Sequence, residues 1–255
     1  KAVALGYDSA ASGLSATALG GESKAEALRS VAVGFRAHAK GTNDVAVGGA
    51  AAASGGQSVA VGLLSKASAL RAVAVGNGAQ ASNIDAVAIG RDSEADALSA
   101  TALGDRAKAR GTQSLALASA AEAEGYQAVA VGTRAVSNAV NSVALGVESS
   151  ATALNGLAVG TSSSVRKEGG TAVGGGASAL EEKSLALGFQ AKGKAEKAVA
   201  LGAQSIADLA AGQAGYDFAT QSVSQSEETA WKSTLGAVSV GNEKDSRQIT
   251  HVAAG

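Results

Sequence analysis

A four-residue signature of an apolar or Thr residue, Ala, an aliphatic residue and Gly returns fifteen times at a strict interval of 14 residues, from Val3-Ala4-Leu5-Gly6 through Val31-Ala32-Val33-Gly34 to Val199-Ala200-Leu201-Gly202. The second slot is Ala in every copy, and the fourth is Gly in all but one, where Ala118 stands. A period held without insertion over most of the chain specifies one small unit stacked on itself, since only a stack repeats its environment so regularly. The function of such a stack lies in its surface and its length.

With position 1 as the first letter of the signature, positions 1 and 3 are apolar or Thr around an invariant Ala, an alternation that reads as a strand. After the Gly come two free positions. Position 7 is then Ser or Ala in every copy, from Ser9 and Ser23 to Ser205. Position 9 is Ala in twelve of fifteen, with Ser137, Val165 and Gly193 as the exceptions, while positions 8 and 10 are mostly polar. Each unit therefore holds two short strands, one apolar on both faces and one small inside and polar outside. The expected fold is all-β, a parallel β-roll built as a solenoid of 14-residue coils. The roll is narrow because its apolar content is mostly Ala and Val, in a chain with no Pro, Cys or Met, one Trp and three each of Tyr and Phe. Coils spaced by about 4.8 Å would stack to about 70 Å.

The Gly that closes the first strand marks a tight corner where a Cβ is penalised. The corner residues are Gly6, Gly20, Gly34, Gly48, Gly62, Gly76, Gly90, Gly104, Gly132, Gly146, Gly160, Gly174, Gly188 and Gly202. A coiled coil of two heptads per unit is the rival. It fails because Gly34 and His38 fall where apolar residues are needed, and a helical Gly costs about 1 kcal/mol.

The Ala face and the Val/Leu face of the first strand cannot both enter so thin a roll. The face left outside is a stripe larger than a soluble monomer tolerates, and a closed cyclic homo-oligomer is the economical way to cover it.

Catalytic, metal and cofactor chemistry finds no foothold. Gly188 to Ala195 lies one letter from a phosphate-binding loop, yet Ala195 replaces the Mg²⁺-holding hydroxyl and Gly188 is a periodic corner. His38 sits in a surface slot held by Lys24, Lys66 and Lys108 in other coils, far in sequence from His251. The many Ser follow the period, and Glu181 and Glu182 read as a solvated edge. A formal charge of −1 with mixed signs gives no footprint for nucleic acid. Zero Cys excludes a disulfide scaffold or a thiolate metal site, and no run of 18 apolar residues is present to cross a bilayer as a helix. An ice-binding solenoid would want ranks of Thr, whereas Thr fills position 1 only at Thr17, Thr101 and Thr171. The chain starts at Lys1 inside a repeat and reads as a piece of a longer protein.

Copies such as Asn141-Ser142-Val143-Ala144-Leu145-Gly146 and Gln57-Ser58-Val59-Ala60-Val61-Gly62 resemble the YadA-like head of trimeric autotransporter adhesins, over residues 1 to about 210. The segment 211–236 contains Trp231-Lys232-Ser233-Thr234-Leu235-Gly236, which is similar to that family's Trp-ring element. In 237–255, Val238-Ser239-Val240-Gly241, Arg247-Gln248-Ile249 and Val252-Ala253-Ala254-Gly255 resemble its neck. The resemblance implies an intertwined homotrimer of left-handed β-rolls on a Gram-negative cell surface. Trp231, Arg247, Gln248 and Ile249 would lie at the trimer junction and neck, a coiled-coil stalk would begin past Gly255, and a C-terminal barrel would anchor the protein in the outer membrane.

The partners implied are the chain itself and host extracellular matrix or host cells. Outward slots expected to face a ligand include Lys24, Glu26, His38, Lys40, Lys66, Lys108 and Arg110. A spacer role, with binding located elsewhere, is the alternative. The departures at Ala118, Val165 and Gly193 leave local corner geometry open, and Ser164–Gly170 is expected to bulge outward as the least typical coil.

Overall fold

In the computed structural model, residues 1–253 are described; Ala254 and Gly255, the end of the neck-like segment, lie outside the described residues. The chain separates into two compact units, Lys1–Asn141 and Ser142–Gly255. Every regular element among the described residues is a strand.

In the first unit, three-residue strands from Val3–Leu5 to Val129–Val131 form one parallel sheet, here the signature sheet. Two-residue strands from Ala10–Ala11 to Val136–Ser137 form the second, the polar sheet. Each strand pairs with its equivalent one coil on, as in Val31↔Val45 and Lys24↔His38, so the ladder advances by one 14-residue unit per rung. The second unit repeats the plan from Val143–Leu145 to Val199–Leu201 and from Ser150–Ala151 to Ile206–Ala207. The chain is thus the all-β parallel solenoid that the period requires.

The structure decides which face of the signature strand is inside. Ala32, Ala74 and Ala116 are fully buried, while the flanking Val, Leu and Thr residues point outward and are half-buried or exposed. Positions 7 and 9 also point inward, as in Ala37 and Ala39. Position 14 is a fourth inward slot that the sequence reading missed, held by Ser30, Asp44, Ser58 and Ala72 in successive coils. Four residues per coil, nearly all Ala, Ser or Gly, fill the interior, where Val165 and Asp44 are the largest fully buried side chains among the described residues.

Two tight turns join the strands. In the third coil the N–H of Ala37 donates to Gly34 O at 3.2 Å and that of Asp44 to Gly41 O at 3.2 Å. The third residue of each turn has a left-handed conformation, φ +56° at Arg36 and +59° at Asn43, the pattern of a type II turn. The first of these, position 6, is one of the two slots that looked free in the sequence. An L-residue there costs about 1–2 kcal/mol. The cost is offset because both N–H groups reach the preceding coil, Arg36 to Gly21 O and Asn43 to Leu28 O, each at 2.9 Å. Where the inward residue closing a turn is Ser, its hydroxyl can donate to the same turn carbonyl, as Ser23 does to Gly20 O at 2.8 Å and Ser30 to Ala27 O at 2.7 Å, whereas Ser58 donates to Asp44 Oδ1 and Ser114 Oγ is buried without a partner among the described residues. Ser and Ala interchange at these slots because the buried hydroxyl has a partner built into the turn.

The corner glycines meet two constraints at once. Gly76 has φ +138°, and a Cβ there would lie 2.3 Å from Gly90 O in the next coil. Ala118 keeps the corner with φ +110°, a strained value for a residue with a Cβ. Ala118→Gly is therefore expected to stabilise the roll by about 1 kcal/mol, read as a higher midpoint in a thermal melt followed by circular dichroism.

Ser164–Gly170 does not bulge, contrary to the expectation from sequence. Ser164–Val165 is an ordinary rung, paired with Ser150–Ala151 on one side and Ser178–Ala179 on the other, and Val165 is fully buried. Room for the extra methyls comes from Gly156 and Gly170, where a Cβ would stand 2.9 Å from Val165 Cγ1 in either case.

The C-terminal segment closes the end of the second unit. Val238–Ser239 adds a further parallel strand to the signature sheet beside Val199–Ala200, and Ile206 N–H donates to Gly241 O at 2.8 Å. The segment thus supplies part of one more coil after an irregular stretch.

Candidate interaction surface

Two outward faces carry the chemistry of the chain. The polar sheet presents positions 8 and 10, and the signature sheet presents positions 1 and 3.

On the polar sheet, side chains one coil apart lie in register, so opposite charges meet along the stack. Lys108 Nζ is 3.0 Å from Glu122 Oε1, and Arg110 lies 2.5 Å from Glu94 and 3.4 Å from Glu124. His38 Nε2 is 2.9 Å from Glu26 Oε1, too poorly aligned for a hydrogen bond. Of the outward slots named from sequence, Lys108, Arg110, His38 and Glu26 therefore pair with acidic or basic neighbours. Lys24, Lys40 and Lys66 are exposed and have no ion pair within 4.0 Å among the described residues. Such pairs are worth little to stability at the surface. Their consequence is that the charge they use is already met by a neighbour.

The turns carry the same ladder. Arg36 pairs with Glu22, Arg71 with Asp85 and Arg91 with Asp105. The hydrogen bond from Arg71 holds the Asp85 carboxyl below the usual carboxylate range, and that from Arg91, with Arg106 beside it, does the same for Asp105.

The outward side of the signature sheet is apolar in the first unit apart from Thr17 and Thr101 at position 1. In the first unit its rungs run in register through Val31↔Val45, Val45↔Val59, Val59↔Val73 and Val73↔Val87 at position 1, beside Val33, Val47, Val61, Val75 and Ile89 at position 3. Ile89 is 41% and Leu117 38% exposed.

A further apolar row was not legible as such in the sequence. Position 12, in the turn before the signature strand, carries Leu14, Leu28, Leu70, Ile84, Leu98, Tyr126 and Val140 in the first unit, and every one of them is exposed. The missing signal was the turn itself, since a Leu in a loop has no periodic partner until the coils are stacked.

The residues expected at the junction and neck are placed as follows. Trp231 is partly exposed and its carbonyl accepts from Gly215 N–H at 2.6 Å, beside a short hairpin of Tyr216–Asp217 and Ser222–Val223. Arg247 lies against the last corner, 3.0 Å from where a Cβ on Gly202 would be. Its guanidinium donates to Ala203 O at 2.6 Å, to Ser205 Oγ at 3.0 Å and to Val240 O. The equivalent of Ala203 in other coils accepts from the backbone of the next coil, as Gly21 does from Arg36. Arg247 thus supplies to Ala203 O the kind of donor that the backbone of a next full coil supplies elsewhere. Gln248 and Ile249 are exposed and belong to no strand. The Gly188–Ala195 segment is an ordinary strand–turn–strand of one coil, with Leu185–Leu187 before it and Lys192–Gly193 within it. No group of three or more His, Cys, Asp or Glu that could hold a metal ion occurs among the described residues, nor is any helix long and apolar enough to cross a membrane.

The family model of the YadA head domain repeat matches residues 1–23, 11–37, 39–65, 67–93, 95–117, 123–149, 137–163 and 166–191. The autotransporter adhesin BadA of Bartonella henselae is 53% identical over 53 residues, which are 20% of this chain and 2% of that protein. The chain therefore spans only a small part of the curated relative it matches. The crystal structure of the collagen-binding domain of the Yersinia adhesin YadA aligns over 79% of this chain and 75% of that one, at 21% identity and a TM-score of 0.29.

Proposed function

Because the chain belongs to the YadA head-domain repeat family, we propose that it is the head of a trimeric adhesin, a non-enzymatic surface that attaches a bacterium to host matrix or host cells. Three left-handed rolls intertwine around the signature faces and turn their polar sheets toward the ligand. One observation carries this reading: the in-register apolar face of Val, Leu, Ile and Thr that a single chain leaves outside. Burying Ala gains little, since a buried methylene or methyl is worth about 0.8 kcal/mol, and four small residues per coil make a weak core. The outward face holds the larger aliphatic side chains, so covering it adds what the interior lacks.

A relative named as an autotransporter adhesin supports the adhesive role and a position at the outer membrane. Lys24, Lys40 and Lys66 are the contact residues of choice, because Lys108 and Arg110 already face neighbouring carboxylates. Attachment is multivalent, with weak contacts multiplied over three chains and many coils.

Light scattering is expected to give three times the 24.4 kDa chain mass, and the same particle is expected to bind immobilised collagen, fibronectin or laminin. A stable monomer defeats the assembly. A trimer that ignores every matrix protein and host cell defeats the adhesive role and leaves a spacer.

A further inference from the structure

Charge is not spread evenly along the first unit. Counting coils from Val3, coils 2–5 (residues 17–72) hold six Lys or Arg and three carboxylates, whereas coils 7–9 (residues 87–128) hold four and six. The three carboxylates of coils 2–5 are already engaged. Glu22 pairs with Arg36 at 2.7 Å, and Glu26 lies 2.9 Å from His38. Asp44 is fully buried and accepts from Gly41 N–H at 2.6 Å and Ser58 N–H at 2.9 Å. Arg71 is met by Asp85 of the next coil. Lys24, Lys40 and Lys66, with Arg29 on an adjoining turn, keep exposed charges that no ion pair within 4.0 Å meets among the described residues.

We propose that this stripe binds a linear sulfated polysaccharide of the host surface, laid along the stack with its sulfates on Lys24, Lys40 and Lys66. This rests on the adhesive reading above and names the class of ligand that the free lysines take.

The shape of the stripe selects the ligand. Lys24 and Lys66 belong to one ladder, through His38 and Ala52, so they stand three rungs, about 14 Å, apart along the stack. Lys40 lies between their levels in the neighbouring row, at position 10. A compact anion reaches one of these ammonium groups; only a polymer with recurring charge reaches all three. The slots between and beyond carry Ala52, Ser54, Ser68, Gln80 and Ser82. These side chains are short or hydrogen-bonding, so a chain can lie along the sheet and find partners for its sugar hydroxyls. No Phe, Tyr or Trp stands at positions 8 and 10 of the first unit to stack an unpaired base. Coils 7–9, rich in carboxylates, bound the stripe at one end. Asp8, which lines a recess with Lys24, bounds it at the other. Because the lysines have no carboxylate partner, a polyanion meets their full field without first breaking an ion pair.

Immobilised heparin is the probe. Although the formal charge of the chain is −1, it is expected to be retained at physiological salt and released as salt rises. Lys24→Ser with Lys40→Ser and Lys66→Ser puts into these slots a residue that other coils already carry there, as at Ser150 and Ser54. This triple variant is expected to bind heparin about tenfold or more weakly, with a flatter slope of log affinity against log salt. Arg166→Ser with Lys192→Ser and Lys194→Ser removes the same charge from the second unit, and is expected to bind as the parent does. Circular dichroism melts check that both variants keep the parent's fold. Equal losses in the two variants mean that binding follows net charge, and overturn the site. Competition by unsulfated hyaluronan or duplex DNA as strong as that by heparin overturns the ligand class. The same proteins are run in parallel on immobilised matrix proteins and host cells. A parent that holds either of these but passes through heparin overturns the stripe and spares the adhesin; a parent that holds none of the three overturns both.

Discussion

Gly76→Val is expected to abolish the cooperative melt of the coils around it. The Cβ would stand 2.3 Å from Gly90 O, inside any permitted contact, and φ +138° is closed to a β-branched residue. The neighbouring carbonyl cannot retreat, since it belongs to a corner with the same restriction, Gly90 being 2.3 Å from Gly104 O by the same measure. Relief requires opening the rung, and the loss should exceed about 3 kcal/mol. Thermal melts and limited proteolysis of the variant beside the parent measure it. A melt within a degree or two of the parent would falsify the account of the corner. Gly76→Ala should cost less, because Ala118 shows that one methyl can be carried at φ +110°.

The second large effect is a coupling. Gly170→Ala alone drives a Cβ to 2.9 Å from Val165 Cγ1, an overpacking expected to cost about 1–3 kcal/mol. Val165→Ala alone removes two methyl groups from the one fully buried aliphatic larger than Ala, and should cost about 1–2 kcal/mol through the void left behind. Together they restore the composition of the ordinary coils, Ala at position 9 and Ala at position 14, as in Ala95 and Ala100. The double variant is therefore expected near the parent, with a coupling energy of about 1–3 kcal/mol that favours it. Denaturant unfolding of the four proteins measures the cycle. Additive losses would mean that Val165 and Gly170 do not share one space.

The residues that made the fold legible are those whose role is fixed by size. Ala32 and its equivalents, Gly34 and its equivalents, and the Ser or Ala at position 7 repeat because the interior accepts nothing larger. The direction of the signature strand was not legible, since Val31 and Ala32 are both apolar and only the closeness of the two sheets decides which of them goes in. Positions 6 and 13 were invisible for another reason. Their left-handed conformation is stabilised by backbone bonds to the preceding coil, so Arg36, Leu64 and Asp92 all occupy it and no residue type stands out.

The surface was read with less success. His38, Lys108 and Arg110 looked available in sequence, yet Glu26, Glu122 and Glu94 lie beside them once the coils stack. The alternation of Glu94, Lys108 and Glu122 at intervals of 14 held that information, and it becomes meaningful only when the interval is understood as a rung. The pairing of Val165 with Gly156 and Gly170 was hidden similarly, because an exception at one inward slot and two at another look like separate faults until they share a cavity.

The way the rungs are bonded also determines how the molecule bears load. Backbone hydrogen bonds between coils point along the stack, so a pull on its two ends acts on one rung at a time instead of shearing many together. Each coil that yields frees 14 residues, about 45–50 Å of extended chain in exchange for about 5 Å of height. A tether built this way lengthens in steps under tension, dissipating the work of a sudden tug while the remaining coils hold.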